Sequence, residues 1–165
     1  MEIYLLRHGI AEKRSLSGKP DKDRALTAKG IKKLRMIGSW MKMQGLKLDL
    51  LLSSPLRRAC QTVEVLREYY PRVPVRISPA FLPEENPQKA ASFLRSLEKN
   101  KDRVLAAGHE PHLGKLAAYL LTGQASSEIE FKKAALCKMT YRGRANETAR
   151  LHWLVTPGMI EPIVS

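Results

Sequence analysis

Three short apolar runs, each followed at once by polar residues and then by a helical pattern, constrain the fold of this chain most strongly. The runs cover residues 3–6, 50–52 and 104–107. Apolar runs of this length that alternate with helices are typical of buried strands in a parallel sheet. The carboxyl ends of such strands lie at one edge of the sheet, and open α/β sheets bind their ligands there. The residues that follow the three runs are therefore expected to meet at one site.

The rest of the chain continues the alternation and ends with an antiparallel pair of strands. Thr27 is suited to the N-cap of a helix, and Asn86 followed by proline predicts the start of another. We predict a three-layer α/β/α sandwich with a mixed, mainly parallel sheet, formed by residues 1–165 as a single domain. The remaining predicted segments are a strand at 48–53, a helix from about 55, a strand at 75–78, strands at 134–141 and 149–155 with a turn at 142–146, and a tail at 157–165 without a strong signal.

Arg7, His8 and Gly9 come directly after the first apolar run. The arginine side chain offers a planar fork of donors that matches the oxygens of a phosphate group. The imidazole is partly uncharged near neutral pH, so it can attack phosphorus and carry a phosphoryl group. Gly9 has no side chain to obstruct backbone N–H groups that approach a ligand. These three residues predict a phosphate site, provided that the other strand ends supply matching groups.

Two later segments supply such groups. Residues 53–62 follow the second run and open a helix, and residues 108–111, Gly-His-Glu-Pro, follow the third. With these motifs in order, and with residues 23–27 and Gly30 as secondary marks, the chain resembles the histidine phosphatase superfamily from residue 1 to about residue 122. This superfamily comprises the phosphoglycerate-mutase-like enzymes with an Arg-His-Gly motif. The resemblance is greatest to its compact SixA-type phosphohistidine phosphatase branch, and it implies the phosphoglycerate-mutase-like form of the α/β sandwich.

The resemblance implies a phosphatase that works without a metal ion or other cofactor, through a phosphohistidine intermediate on His8. Arg57 and Arg58 compete for one role in this pattern. The family places the arginine immediately before alanine in the phosphate pocket, which selects Arg58. The groups that would bind phosphate oxygens are Arg7, Gly9, Arg58 and His109.

A glutamate after the third strand is the general acid of the wider superfamily, and residues 82–85 occupy that place here. Glu84 is the better match, although two acids on an exposed loop before a helix explain the segment equally well. A phosphohistidine substrate expels imidazole, whose conjugate acid has a pKa of about 6.5. Because that leaving group can already be protonated near neutral pH, an acid at Glu84 would be helpful rather than required.

The expected partner is a phosphorylated protein of the histidine-phosphotransfer type, with a small phosphate ester as the alternative. Few residues remain for insertions that would cover the site, so a shallow, open site is expected. A formal net charge of +13 motivates a different class, a non-catalytic module that binds nucleic acid or an acidic protein. Aromatic residues make up only 6% of the chain, which leaves few rings for base stacking, so nucleic acid is not the expected partner. Basic residues that crowd the loop beside the predicted site are Lys13, Arg14, Lys19, Lys22 and Arg24.

The remaining features concern metals and the cellular compartment. The i, i+3 spacing of His109 and His112 raises the question of a metal site, but no further ligands in the sequence complete one convincingly. Cys60 and Cys137 lie far apart in the sequence, which favours a reduced, cytoplasmic protein over a disulfide scaffold. No apolar stretch approaches the ~20 residues that a membrane span needs, so no membrane partner is expected.

Overall fold

A mixed sheet forms the centre of the computed structural model, which describes residues 1–13, 18, 20–97, 101–125, 129–142 and 148–164. The first four strands run parallel, β5 is antiparallel to β1, and β6 is antiparallel to β5. The order across the sheet is β3-β2-β4-β1-β5-β6, so the sheet is mixed and mainly parallel, as predicted. The strands are β1 (Glu2–Arg7), β2 (Leu50–Ser53), β3 (Val75–Ile77), β4 (Arg103–Gly108), β5 (Leu136–Thr140) and β6 (Arg150–Val155).

Helices cover both faces of the sheet. The first, second and fifth pack with the side of the sheet that carries Tyr4 and Leu6, and the third and fourth pack with the side that carries Ile3 and Leu5. This arrangement confirms the three-layer α/β/α sandwich. It also explains why residues 3–6 form a continuous apolar run, since both faces of β1 are buried. The helices are α1 (Ala28–Met43), α2 (Arg57–Arg67), α3 (Pro87–Leu97), α4 (His112–Thr122) and α5 (Pro157–Val164).

The helix starts predicted from capping residues are present. The Gly30 N–H donates to Thr27 Oγ1 at 3.1 Å at the start of α1. Asn86 Oδ1 accepts from the Gln88 N–H at 2.9 Å at the start of α3. Both side chains satisfy an N–H group that has no partner inside its helix. Within the described ranges, each helix is too short or too polar to traverse a lipid bilayer.

The last two strands depart from the predicted alternation. A β-bulge shifts the register between Lys138 and Met139, which pair with Trp153 and Leu151 and leave His152 between them. Because an extra residue in one strand interrupts the pleat, Leu151 is 45% exposed rather than buried. The strand predicted at 48–53 begins at Leu50.

Two further predictions concern helices, and the structure changes both. The helix predicted from residue 55 begins at Arg57, since Leu56 has an extended backbone. The tail, for which no element was predicted, forms α5 and buries Ile160 against α1. Of the turn at 142–146, residues 143–146 lie outside the described residues, as do Arg14 and Lys19 of the basic loop.

Candidate active site

The carboxyl ends of β1 and β4 form the centre of the site. The two strands are parallel neighbours, and Arg7 at the end of one pairs with Gly108 at the end of the other. From β1 the chain continues to α1 on one face, and from β4 it continues to α4 on the opposite face. Such a reversal opens a crevice at the strand ends. His8 and His109 lie there with their ring centroids 5.0 Å apart.

Hydrogen bonds distinguish the two ring nitrogens of His8. Nδ1 lies 2.7 Å from the Gly9 carbonyl oxygen, which can only accept, so Nδ1 carries the proton. In the neutral ring Nε2 then bears a lone pair, and the Nε–H of Arg58 donates to it at 3.2 Å. Nε2 is therefore the nucleophilic nitrogen of this side chain.

The surroundings keep the His8 ring uncharged. Burial is the main cause, and electrostatic interactions with Lys133, His109 and Arg58 act in the same direction, so its pKa falls to about 2. The hydrogen bond to the Gly9 carbonyl opposes this shift only in part. An imidazole with this pKa has its lone pair available throughout the physiological pH range.

Arg58 reaches His8 from the first turn of α2. Its Nη1 donates to the Asp21 carbonyl oxygen at 2.8 Å, and its Nη2 donates to Asp21 Oδ2 at 3.0 Å. Burial raises the pKa of the Asp21 carboxyl, but the Arg58 and Arg24 guanidinium groups outweigh it and lower the pKa overall. Arg57 is exposed and donates to the Asp23 carbonyl oxygen at 3.3 Å, so the structure brings only the second arginine of the pair to His8.

His109 enters from the end of β4 and is held by a serine. Its Nε2 lies 2.8 Å from Ser54 Oγ, a residue to which the sequence analysis gave no role. Its Nδ1 is buried and has no hydrogen-bond partner in the described part of the chain. Burial first, and then the charges of Arg58 and Lys133, lower its pKa to about 3. The neutral ring can present an N–H group to a bound oxyanion.

Arg7 points to the segment before β5. Its Nη1 donates to the Phe131 carbonyl oxygen at 2.5 Å, and burial lowers its pKa. The N–H of Phe131 donates to Glu110 Oε1 at 3.1 Å, so this carboxylate helps to fix the backbone that holds Arg7. Arg7 Nε is buried without a partner in the described residues and is a donor that an oxyanion could satisfy.

Gly9 has a different reason to be glycine from the one expected. A Cβ at this position would lie 2.8 Å from Leu34 Cδ1 and 3.1 Å from the Gly30 carbonyl oxygen, both in α1. Its N–H donates to Thr62 Oγ1 at 3.2 Å. Gly9 thus permits close packing of the loop on α1, while its N–H already has an acceptor inside the protein.

Glu84 lies on the loop between β3 and α3 and is exposed. Its negative charge favours the protonated forms of Arg58 and His112, which places it in the electrostatic neighbourhood of the site. Glu85 is half-buried and forms an ion pair with Lys89 at 2.9 Å. Lys89 therefore pairs with Glu85 and not with Glu84.

The expectation of a shallow, open site does not hold for its floor. His8, Arg58 and His109 are 3%, 4% and 1% exposed. Asp21, in the segment between β1 and α1, covers the guanidinium of Arg58.

A lysine that the sequence analysis did not consider completes the surroundings of His8. Lys133 Nζ lies 3.4 Å from His8 Nε2, so two cationic side chains, Lys133 and Arg58, face the same nitrogen. Lys133 is half-buried and belongs to the segment that leads into β5.

The histidine pair that raised the metal question is also buried. His112 is 1% exposed, both of its ring nitrogens lack partners among the described residues, and burial lowers its pKa to about 4. Across the described ranges, no group of three or more His, Cys, Asp or Glu side chains is arranged to hold a metal ion.

Sequence and structure comparisons relate the chain to known proteins. Residues 3–82 match the model of the histidine phosphatase superfamily (branch 1). The chain is 30% identical to an uncharacterised protein of Picosynechococcus sp., over 98% of this chain and 100% of that protein. It is 28% identical to phosphohistidine phosphatase SixA of Escherichia coli K12, over 95% of this chain and 94% of the other. The solved structure of the protein histidine phosphatase SixA complexed with tungstate superposes with a TM-score of 0.87 at 26% identity, covering 97% and 99% of the two chains.

Proposed function

This chain belongs to the histidine phosphatase superfamily, in its SixA-type branch, and is a phosphatase; we propose that it dephosphorylates phosphohistidine in a protein through a covalent intermediate on His8. We further propose that the reaction needs no metal ion and that residues 1–165 act as a single catalytic domain. The binding of phosphoryl oxygens by Arg7, Arg58 and His109 is part of the same proposal.

The tautomer of His8 is the observation that carries the proposal. The Gly9 carbonyl holds the proton on Nδ1, and Nε2 presents its lone pair beside the Arg58 guanidinium. A nucleophile for a phosphoryl group must be unprotonated and must have positive charge next to the oxygens that arrive with phosphorus. His8 meets both requirements without a proton transfer to another side chain.

The reaction proceeds in two displacements. First, the Nε2 lone pair attacks phosphorus, a P–N bond to His8 forms, and the P–N bond of the substrate breaks with its electron pair returning to the substrate imidazole. Second, a water oxygen attacks phosphorus and the P–Nε2 bond breaks, returning the electron pair to His8. Both protons of the water leave with the product as dihydrogen phosphate. Arg7, Arg58 and His109 bind the phosphoryl oxygens in both steps.

A phosphohistidine substrate suits this chemistry. The first displacement exchanges one P–N bond to imidazole for another, and the leaving ring can already be protonated near neutral pH. An alkoxide leaving group would instead need a proton from a nearby acid. Two relatives that match nearly the full length of the chain support the same substrate class, one named phosphohistidine phosphatase SixA and the other protein histidine phosphatase SixA. A small phosphate ester is the second candidate, and it is favoured by the exposed Glu84, whose charge acts on Arg58 and which could supply that proton.

The expected protein partner is a phosphorylated domain of the histidine-phosphotransfer type. The net charge of +13 would speed the encounter with an acidic partner. We also propose the cytoplasm as the compartment, supported by the free thiols of Cys60 and Cys137.

A substrate panel with trapping of the intermediate tests this function. The wild type is assayed on a phosphorylated histidine-phosphotransfer protein and on an alkyl phosphate, with and without excess EDTA. We expect turnover that EDTA does not change and, after rapid quenching, an acid-labile, base-stable phosphoenzyme. His8→Ala should abolish both, while the matched control His152→Ala, at an exposed position in β6, should keep both. A phosphoenzyme that forms fully in His8→Ala, or activity lost on chelation and restored by a divalent ion, would contradict the proposal.

Glu84→Gln separates the two substrate classes in the same assay. If Glu84 is a general acid, the substitution should slow alkyl phosphate hydrolysis severely and phosphohistidine hydrolysis only slightly, because only the alkoxide needs its proton. The ratio of the two effects removes any shared loss of folding or phosphate binding. Equal effects on both substrates would mean that Glu84 is not the general acid.

A further inference from the structure

Lys133 is held next to the nucleophile by backbone hydrogen bonds of the two residues that directly follow it. The N–H of the following residue, Ala134, donates to the carbonyl oxygen of His8 at 3.2 Å. The N–H of Arg7 donates to the Ala135 carbonyl oxygen at 3.0 Å, which extends the β1–β5 pairing toward the site. The backbone that carries Lys133 is therefore joined directly to the backbone that carries His8.

Ala134 has a backbone conformation that points to a functional constraint. Its φ angle is 60°, in the left-handed region that residues with a Cβ atom rarely adopt. Unfavourable backbone conformations of this kind concentrate at functional sites, where surrounding contacts hold them in place. Here the conformation occurs between Lys133 and the strand that pairs with β1.

The charges that act on Lys133 favour an anion beside it. Arg7 from β1, Arg58 from α2 and Arg24 from the segment between β1 and α1 all repel its ammonium group, and Glu110 from the loop after β4 attracts it. Burial is the largest influence and, with the arginines, lowers the pKa of Lys133 to about 8. A half-buried ammonium that three guanidinium groups repel would be stabilised by an anion that enters the site. A dianionic phosphoryl group would provide that stabilisation.

We propose that Lys133 is a catalytic residue that donates a hydrogen bond to a phosphoryl oxygen while phosphorus is transferred to and from His8 Nε2. Its Nζ lies 3.4 Å from Nε2, on which the Arg58 Nε–H also converges, so an oxygen of a group bound there would meet both donors. Lys133 exchanges no proton in either displacement and acts only through charge and hydrogen bonding. This role rests on the proposed function of His8 and adds a group to it.

Three variants test the role. Lys133→Met removes the charge while keeping the length of the side chain, and Lys133→Arg keeps a charge. Lys132→Met is the matched control, because it removes the same charge from an exposed neighbour. The measurements are kcat/KM for p-nitrophenyl phosphate between pH 6 and pH 10, and the affinity for tungstate by calorimetry. Far-UV circular dichroism establishes that each variant is folded.

We expect Lys133→Met to lower both kcat/KM and tungstate affinity about tenfold or more at pH 7, the loss typical of one charge-assisted hydrogen bond. Lys133→Arg should recover most of that loss, and Lys132→Met should resemble the wild type. The wild-type kcat/KM should fall as pH rises through about 8 toward the Lys133→Met value. This decline should be missing in Lys133→Met and in Lys133→Arg, since arginine stays charged.

The outcomes separate this inference from the proposed function. If the wild type turns over no phosphorylated substrate, the proposed function fails, and tungstate affinity still tests Lys133 because it needs no turnover. If Lys133→Met equals Lys132→Met in rate and tungstate affinity, or keeps the decline near pH 8, the inference about Lys133 is wrong. If Lys133→Met does not fold, the pH profile of Lys133→Arg tests the inference instead: a decline near pH 8 that persists in Lys133→Arg would contradict it.

Discussion

At the level of single residues, the site depends on which partner each donor and acceptor has. The Nδ1–H of His8 donates a hydrogen bond to the Gly9 carbonyl oxygen, Arg58 joins His8 to Asp21, and His109 contacts Ser54. Each of these contacts fixes an orientation that the residue type alone leaves open. The charges then act on rings that are already buried, which explains why both histidines stay neutral.

Adjacent arginines provide a test at this scale. Arg58→Ala should reduce kcat/KM by at least ~2 kcal/mol of transition-state stabilisation, because it removes a charge-assisted contact beside Nε2. Arg57→Ala removes the same charge one residue away and should cost far less, since that side chain is exposed. Steady-state kinetics on both variants measures the two losses in kcat/KM. Equal losses of kcat/KM would mean that the orientation of the first turn of α2 does not determine which arginine contacts the phosphoryl group.

At the level of elements, close backbone contacts determine how the segment after β1 packs against α1. A Cβ at Gly30 would collide with the Ile10 carbonyl oxygen, which lies against the first turn of the helix. Gly158, in the first turn of α5, has open space around the same position. The two glycines therefore form a matched pair of helical sites, one crowded and one free.

Gly30→Ala should destabilise the protein by about 2 kcal/mol or more, since either the helix or the loop that follows His8 must move. Gly158→Ala should stabilise it by roughly 0.5 kcal/mol, because alanine restricts the unfolded chain and favours the helix. Urea unfolding of both variants gives the two values. A Gly30→Ala protein as stable as Gly158→Ala would show that the contact with Ile10 relaxes at little cost.

Many of the strands, helices and helix caps could be predicted from the sequence. The apolar run at 3–6, the caps at Thr27 and Asn86 and the order of strands and helices follow from local rules, so they could be predicted. Lys133 could not be, because its place beside His8 depends on β5 pairing with β1, and local rules do not say which strands are neighbours. The bulge near Met139 could not be predicted for the same reason, since a register shift exists only between two paired strands.

At the level of the whole molecule, three buried histidines link stability to pH. Burial lowers the pKa of His8 to about 2, of His109 to about 3 and of His112 to about 4. In the unfolded chain these groups titrate near the ordinary histidine pKa of about 6.5. Below that pH the unfolded state binds protons that the native state does not, so native stability is full above about pH 6.5 and falls as pH decreases.

The free energy of unfolding should therefore drop by up to about 4 kcal/mol per pH unit below pH 6, about 1.4 from each histidine. Urea denaturation at pH 7.5, 6.5, 6.0 and 5.5 measures this slope. His112→Phe should reduce the slope by about a third, whereas the exposed His152→Phe should leave it unchanged. A slope that His112→Phe does not alter would contradict the link between this buried ring and acid sensitivity.

The position of β4 in the sheet has a consequence for the time at which the molecule assembles. Val104 pairs with Ile3 on one side and with Leu50 on the other, so the strand made last among the three lies between the two made earlier. During synthesis, β1 and β2 cannot join the same sheet through β4 until residues 103–108 have left the ribosome. Pairing over such long sequence separations is slow, because the chain loses the entropy of closing a large loop before the strand contacts form. Since His8 and Arg58 follow the strands on either side of β4, the nascent chain would stay catalytically silent until the centre of its sheet is inserted.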